Sequence, residues 1–114
     1  QSIGDFQIAR AGWIGDYIDP KSFLDMMVTG RGNNQTGWSN QEFDNLLIAA
    51  ANSTSQDQRF SNFYEAEKIL IDEMPIIPIY TYTRIYMLHE DVQGWGNNLL
   101  DSRPYQFVYL ENKE

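Results

Sequence analysis

The pattern of apolar and polar positions divides this chain into stretches with different periods. Apolar residues fall mainly at alternate positions across Phe6–Trp13, which predicts a strand. From residue 19 to residue 75, outside the glycine- and amide-rich loop Gly30–Gly37, they recur every three or four positions, which predicts three amphipathic helices. β-branched and aromatic residues then dominate Ile76–Met87, which predicts a second strand.

Local signals predict the ends of the three helices. Asp19 as N-cap and Pro20 as the first helical residue start the first helix, and Gly30 ends it. Pro75 ends the third helix. Two residue pairs have the spacing of a capping box and start the second and third helices: Ser39 with Glu42, and Ser55 with Gln58. These two helices are predicted to form an αα-hairpin.

The order of these elements is unusual for a self-contained domain. Two separated strand regions flank three helices without βαβ alternation, and the chain supplies few sheet partners for either. The tail adds short strands at 92–95 and 106–109, separated by turns at Asn97–Asn98 and Arg103–Pro104. We therefore predict an α/β fold that is the C-terminal piece of a larger protein. Its order is strand, helix, helix, helix, strand and then short strands.

Composition excludes several classes of protein. Eight Lys and Arg against 16 Asp and Glu give the 114 residues a net charge of −8, which disfavours binding to nucleic acid. The absence of cysteine excludes disulfides, a thiol nucleophile and zinc fingers, and His89 is the only histidine. With a single histidine, a His-rich metal site is not available either. The apolar run Met74–Tyr80 is too short to span a bilayer, and Gln1–Arg10 lacks the features of a signal peptide.

The densest candidate for chemistry is the stretch Arg10–Pro20, where charged, aromatic and glycine residues leave the end of the first predicted strand. Ligand sites of α/β folds lie at strand ends and in the loops that follow them. Asp16 is interpreted either as a carboxylate for a cationic group or as a turn acid that caps backbone amides. Trp13 forms either a pocket wall or part of the core. Gly12 allows close approach of an extended ligand, although a turn explains it equally well.

Two functions are compatible with these residues when they are considered alone. A glycoside hydrolase or esterase would pair Asp16 with a nearby acid, Asp19 or Asp25, and needs two carboxyl groups at a suitable separation. A carbohydrate-binding module is indicated by seven tyrosines and by Trp13, Trp38 and Trp95. It would present an exposed, coplanar strip of aromatic rings.

Several motifs resemble a known family through their order and spacing. They are Ala9–Tyr17 with Asp19-Pro20-x-Ser22-Phe23-Leu24, then Gly37–Leu47, Arg59-x5-Glu65-Ala66-Glu67-x2-Leu70 and Pro75–Tyr80. Together they resemble the extracytoplasmic solute-binding proteins of peptide ABC importers, in the oligopeptide- and dipeptide-binding branch (solute-binding protein family 5). The resemblance covers nearly the whole chain and thins after Met87.

The resemblance implies a bilobal type II periplasmic-binding-protein fold in a protein several times longer. This chain corresponds to the C-terminal part of such a protein. Residues 1–82 would belong to one ligand-binding lobe, and the chain would cross a hinge near Thr83–Arg84. Residues 83–114 would then return to the other lobe.

The resemblance also implies roles for individual residues. Asp16 matches the acid that binds the α-ammonium of a bound peptide, and Arg10 matches a position that meets a peptide carboxylate in some members. Tyr82 matches a tyrosine that lines the pocket near the hinge. The backbone of one segment is expected to pair with the extended ligand as an added strand does: Gly12, Trp13 and Ile14.

The same resemblance implies partners and a location. The function implied is capture of oligopeptides or dipeptides between two lobes for delivery to the membrane permease of an ABC importer. The location would be periplasmic, or extracytoplasmic with a lipid anchor. The parent protein is expected to be monomeric, whereas this chain alone is expected to bind peptide weakly and to self-associate through exposed sheet edges.

Overall fold

A computed structural model of the chain describes residues 6–96, 100 and 102–111. The chain divides into two compact units, Gln1–Pro78 and Ile79–Glu114. The first unit carries the helices and the second a small sheet. The assignment of residues 1–82 and 83–114 to two lobes stays a prediction, and the predicted turn at Asn97–Asn98 lies outside the described residues.

The three predicted helices of the first unit are present. The first is short: α1 spans Lys21–Leu24 and continues as a 3₁₀ turn over Asp25–Met27. The hairpin consists of α2, Gln41–Asn52, and α3, Gln56–Glu73. Within the described residues, none of these helices combines the length and apolar character needed to cross a membrane.

The N-terminal cap of α2 differs from the predicted one, whereas that of α3 is confirmed. The cap of α2 is Asn40, whose side chain accepts a hydrogen bond from the Phe43 N–H at 3.0 Å. The predicted cap, Ser39, instead bonds to the hydroxyl of Thr29 at 3.0 Å, so its oxygen is engaged elsewhere. Ser55 caps α3 as predicted, since its Oγ accepts from the amide three residues later.

The core of the first unit is formed where α2 and α3 pack together beneath the α1 turn. Phe43 and two alanines, Ala50 and Ala66, are fully buried there. The remaining buried apolar residues complete the same cluster: Leu24, Met27, Leu47, Phe63 and Leu70. Helices of this length are marginal alone in water, so this shared burial stabilises them.

The two longer strands predicted from the sequence are not formed, which corrects the predicted element order. Among the described residues, neither Phe6–Trp13 nor Ile76–Met87 takes part in strand pairing. The alternating and β-branched patterns are those of strands, but a strand needs a hydrogen-bonded neighbour. The part of the chain that the structure describes does not provide one for either segment.

The second unit contains a short antiparallel sheet. Strand β1, Val92–Gln93, pairs with β2, Tyr109–Leu110, in the register that places Val92 opposite Leu110. A 3₁₀ turn over Tyr105–Phe107 precedes β2, so the second short strand lies later than the predicted 106–109. Gly94 has φ of +78°, and a Cβ there would overlap the carbonyl of Phe107, so this position requires glycine.

The unpaired segment before β1 exposes many apolar side chains. Met87 is fully exposed, and three isoleucines are at least three-quarters exposed: Ile77, Ile79 and Ile85. An exposed, apolar and unpaired segment promotes association between chains. We therefore expect sedimentation of the isolated chain to show dimers or larger species that grow with concentration. A strictly monomeric chain across that range would contradict this expectation.

Candidate functional site

The stretch that carries the candidate ligand residues is held by one serine of α1. The indole Nε1–H of Trp13 donates to the backbone carbonyl of Ser22 at 2.9 Å. The Asp16 N–H donates to the Ser22 Oγ at 2.6 Å. Ser22 itself is 4% exposed, so both bonds are made to a buried residue of a packed helix. Both ends of the four-residue stretch are therefore fastened to the same point of the fold.

The neighbouring acid, Asp19, is committed to the first unit itself. Its carboxylate forms an ion pair with Arg59 of α3, with an Nη2–Oδ2 distance of 2.7 Å. Its Oδ1 also accepts from the Lys21 N–H at 2.9 Å, although α1 begins at Lys21 and not at Pro20 as predicted. The Arg59 guanidinium lies 4.6 Å from the ring centre of Phe63 in the core. This ion pair ties the loop after Asp16 to α3.

The three acids of this region differ in how their charge is balanced. Asp25 pairs with Lys21 at 3.0 Å, and Asp19 pairs with Arg59. Asp16 is exposed, and within the described part of the chain its carboxylate makes no hydrogen bond or ion pair. Asp16 is thus the acid of this group that is left to bind a positively charged ligand. A hydrolase that used Asp19 or Asp25 as its second acid would first have to break an ion pair.

The other predicted ligand residues of the first unit lie along the same exposed stretch. Arg10, Gly12 and Ile14 are exposed, and Trp13 is half-buried because its indole is bonded to α1. In the described part of the chain, Gly12, Trp13 and Ile14 take no part in a strand. Their backbone groups are those that an extended ligand would pair with if it added as a strand.

Tyr82 belongs to the second unit. Its side chain is exposed, and its ring lies 4.6 Å from that of Tyr80, with the ring planes inclined at 59°. The role of Tyr82 as a pocket-lining residue stays a prediction.

The three tryptophans are each engaged within their own unit. Trp13 bonds to Ser22, and the Nε1–H of Trp38 donates to Glu73 at 2.7 Å. Trp95 is inclined at 45° and 63° to the rings beside it. Within the described residues of either unit, these indoles do not form the coplanar exposed strip that a carbohydrate-binding module would need.

Sequence reasoning missed the two residues that hold this site. Ser22 was only part of a motif, and nothing in its position two residues after a proline indicates that it anchors Trp13 and Asp16. Arg59 lies 40 residues from Asp19, so no local pattern reveals their pairing. In the sequence, Arg59 stands out only as an arginine near the start of a predicted helix and as the first residue of a family motif.

Comparison with known proteins identifies relatives of this chain. Over 89 residues the chain is 43% identical to the dipeptide-binding protein DppE of Bacillus subtilis, a match that spans 78% of this chain and 16% of that protein. It is 44% identical over 91 residues to the oligopeptide-binding protein OppA of the same organism, spanning 79% of this chain and 17% of that protein. This chain is a homologue of the oligopeptide- and dipeptide-binding proteins.

The solved structures of these peptide-binding proteins agree with the fold. The murein tripeptide-binding protein MppA of Escherichia coli matches 98% of this chain with a TM-score of 0.91 and 30% identity, over 22% of its own chain. The predicted fold class, α/β and part of a type II periplasmic-binding-protein fold, is confirmed. No protein-family model matches the chain. The chain spans about a sixth of the length of the two Bacillus relatives, and these relatives are binding proteins and not hydrolases.

Proposed function

We propose that the protein containing this chain captures oligopeptides or dipeptides between two lobes and delivers them to the permease subunits of an ABC importer. It acts by binding and not by catalysis, and it requires no cofactor. We further propose that the intact protein is a monomer that works in the periplasm or, lipid-anchored, on the extracytoplasmic face of the membrane. The names of the relatives, which are dipeptide-, oligopeptide- and murein tripeptide-binding proteins, support this ligand class.

The observation that carries the proposal is the state of Asp16. Its carboxylate is exposed, while the acids on either side of the α1 turn are neutralised by Arg59 and Lys21. A free α-ammonium group is the positive charge common to all peptides, whatever their side chains. In the proposal, Asp16 binds this group when the lobes close around the ligand, which removes both charges from water and strengthens their attraction.

The remaining residues have roles along the bound peptide. Backbone groups of Gly12, Trp13 and Ile14 pair with the peptide main chain, which gives affinity without reading side chains. Arg10 receives the carboxylate of ligands of suitable length, and Tyr82 lines the pocket. Because main-chain bonds provide the affinity, peptides of varied sequence are expected to bind.

Blocking the peptide amino group tests the proposal. Isothermal titration of the intact protein with a tripeptide and with its N-acetylated form should give an affinity at least about tenfold higher for the free amine, because acetylation removes the charge that Asp16 binds. The same peptide with an N-methylated amino group, which adds bulk but keeps the positive charge, is the control for a general loss of fit. Equal affinity for the free and acetylated peptides would exclude an ammonium site at Asp16.

A further inference from the structure

Ser22 of α1 is the residue to which the candidate site is hydrogen-bonded. This residue receives two hydrogen bonds that come from different groups: the Trp13 indole N–H reaches its carbonyl, and the Asp16 amide reaches its hydroxyl. In the described structure, the stretch between these residues has no strand partner. The ion pair of Asp19 with Arg59 holds the loop three residues further on, so the two bonds to Ser22 act on the backbone between Trp13 and Asp16.

The support continues into the core. Ser22 is buried and lies in the same short helix as Leu24, which belongs to the hydrophobic cluster of α2 and α3. A bond to Ser22 therefore fastens the loop to the packed hairpin and not to another mobile segment. A carboxylate on a fixed backbone loses less conformational freedom when it binds a ligand than one on a free loop.

We propose that Ser22 is a positioning residue for ligand binding: its hydroxyl holds the Asp16 backbone so that the carboxylate is preorganised for an ammonium group. This inference rests on the proposed function, since it assigns Ser22 a part in the same site. Ser22 does not itself touch the ligand. It acts through the amide of Asp16, while its carbonyl sets the indole of Trp13.

Substitutions of Ser22 can test the role of its hydroxyl separately from that of its backbone carbonyl. Alanine removes the acceptor for the Asp16 amide but keeps the helix and the carbonyl that Trp13 uses. Cysteine keeps a side chain of similar shape, but its sulfur is a weak acceptor. Ser61, exposed on α3, supplies a matched control in which the same serine-to-alanine change touches neither bond.

The first measurement needs no ligand. Hydrogen–deuterium exchange of the intact, ligand-free protein should show faster exchange for fragments that span Trp13–Tyr17 in S22A. The exchange rate of the Asp16 amide is expected to rise about fivefold, which corresponds to the free energy of one typical hydrogen bond. S22C should change in the same direction, and S61A should not change. Unaltered exchange in both Ser22 variants would overturn the positioning role.

The second measurement links Ser22 to Asp16. In the intact protein, S22A should bind a free-amine tripeptide with an affinity about fivefold lower than the unaltered protein does. The N-acetylated tripeptide should not show this loss. In a D16N background, the further change S22A should have almost no effect, because Ser22 acts through the Asp16 carboxylate. If Ser22 had a purely structural role, S22A would instead weaken the binding of both peptides equally. Its effect would also add to that of D16N.

The outcomes separate this inference from the proposed function. If D16N leaves peptide affinity unchanged, the ammonium site fails, and with it the role proposed for Ser22 in binding. If D16N weakens binding but S22A alone does not, the ammonium site stands and the inference about Ser22 is overturned. If both weaken binding and their effects do not add, both stand.

Discussion

Replacement of Asp16 by alanine in the intact protein should weaken binding of peptides with free N-termini by about 2–5 kcal/mol, the range for truncating one partner of a buried charge pair. The lower limit already corresponds to about a 30-fold rise in Kd. The reason is that the closed lobes would bury the peptide ammonium without its counter-charge. Nearby acids cannot substitute, since Asp19 and Asp25 are held by Arg59 and Lys21. Isothermal titration with a tripeptide measures the loss directly.

The matched control for this variant is D72A, which removes the same charge from an exposed position on α3. It should bind the tripeptide like the unaltered protein, so that a change in net charge alone is excluded as the cause. An N-acetylated tripeptide should also bind D16A and the unaltered protein alike. Wild-type affinity of D16A for the free peptide would mean that another group binds the ammonium.

Replacement of Phe43 by alanine should have the largest effect on the stability of the helical unit. Phe43 has no exposed surface, and its ring packs edge-on against Trp38 at 5.1 Å. Phenylalanine-to-alanine changes in cores destabilise by about 3–5 kcal/mol through lost burial and the cavity that remains. Since small domains have a free energy of unfolding of about 5–15 kcal/mol, the unit would lose much of its stability. Urea denaturation followed by circular dichroism measures the difference.

The control on the same helix is I48A. Ile48 is 59% exposed, so truncating it removes little buried surface and should change stability by less than about 1 kcal/mol. The two variants therefore separate the loss of packing from any general effect on the helix propensity of α2. A similar midpoint for F43A and I48A would show that the α2–α3 core does not stabilise the chain as the structure indicates.

The helices show how far local signals reach. The ends of α2 and α3 follow from capping residues and from Pro75, and the structure moves the predicted start of α2 by only one residue. That shift was not predictable, because Ser39 and Asn40 are both good caps. The choice depends on Thr29, ten residues away, which engages the Ser39 hydroxyl.

The strands show the opposite case. The patterns of Phe6–Trp13 and Ile76–Met87 are those of strands, yet neither segment is paired in the described structure. A helix satisfies its own backbone hydrogen bonds within one segment, whereas a strand needs a second segment. The sequence also indicated this shortage of partners, and relatives about five times longer are consistent with it.

By itself, the sequence determined the three helices, the excluded classes of protein, the family resemblance and the stretch in which the candidate site lies. It singled out Asp16 through the resemblance and made Asp19 a helix cap, but it could not show which of the acids Asp16, Asp19 and Asp25 have their charge balanced in the fold. The tertiary structure decided that Arg59 and Lys21 neutralise two of them and that Ser22 holds the third by its backbone. Lys21 and Asp25 are a local pair, four residues apart, but the Asp19–Arg59 pair and the bond from Asp16 to Ser22 join separate segments, so local residue patterns do not encode them.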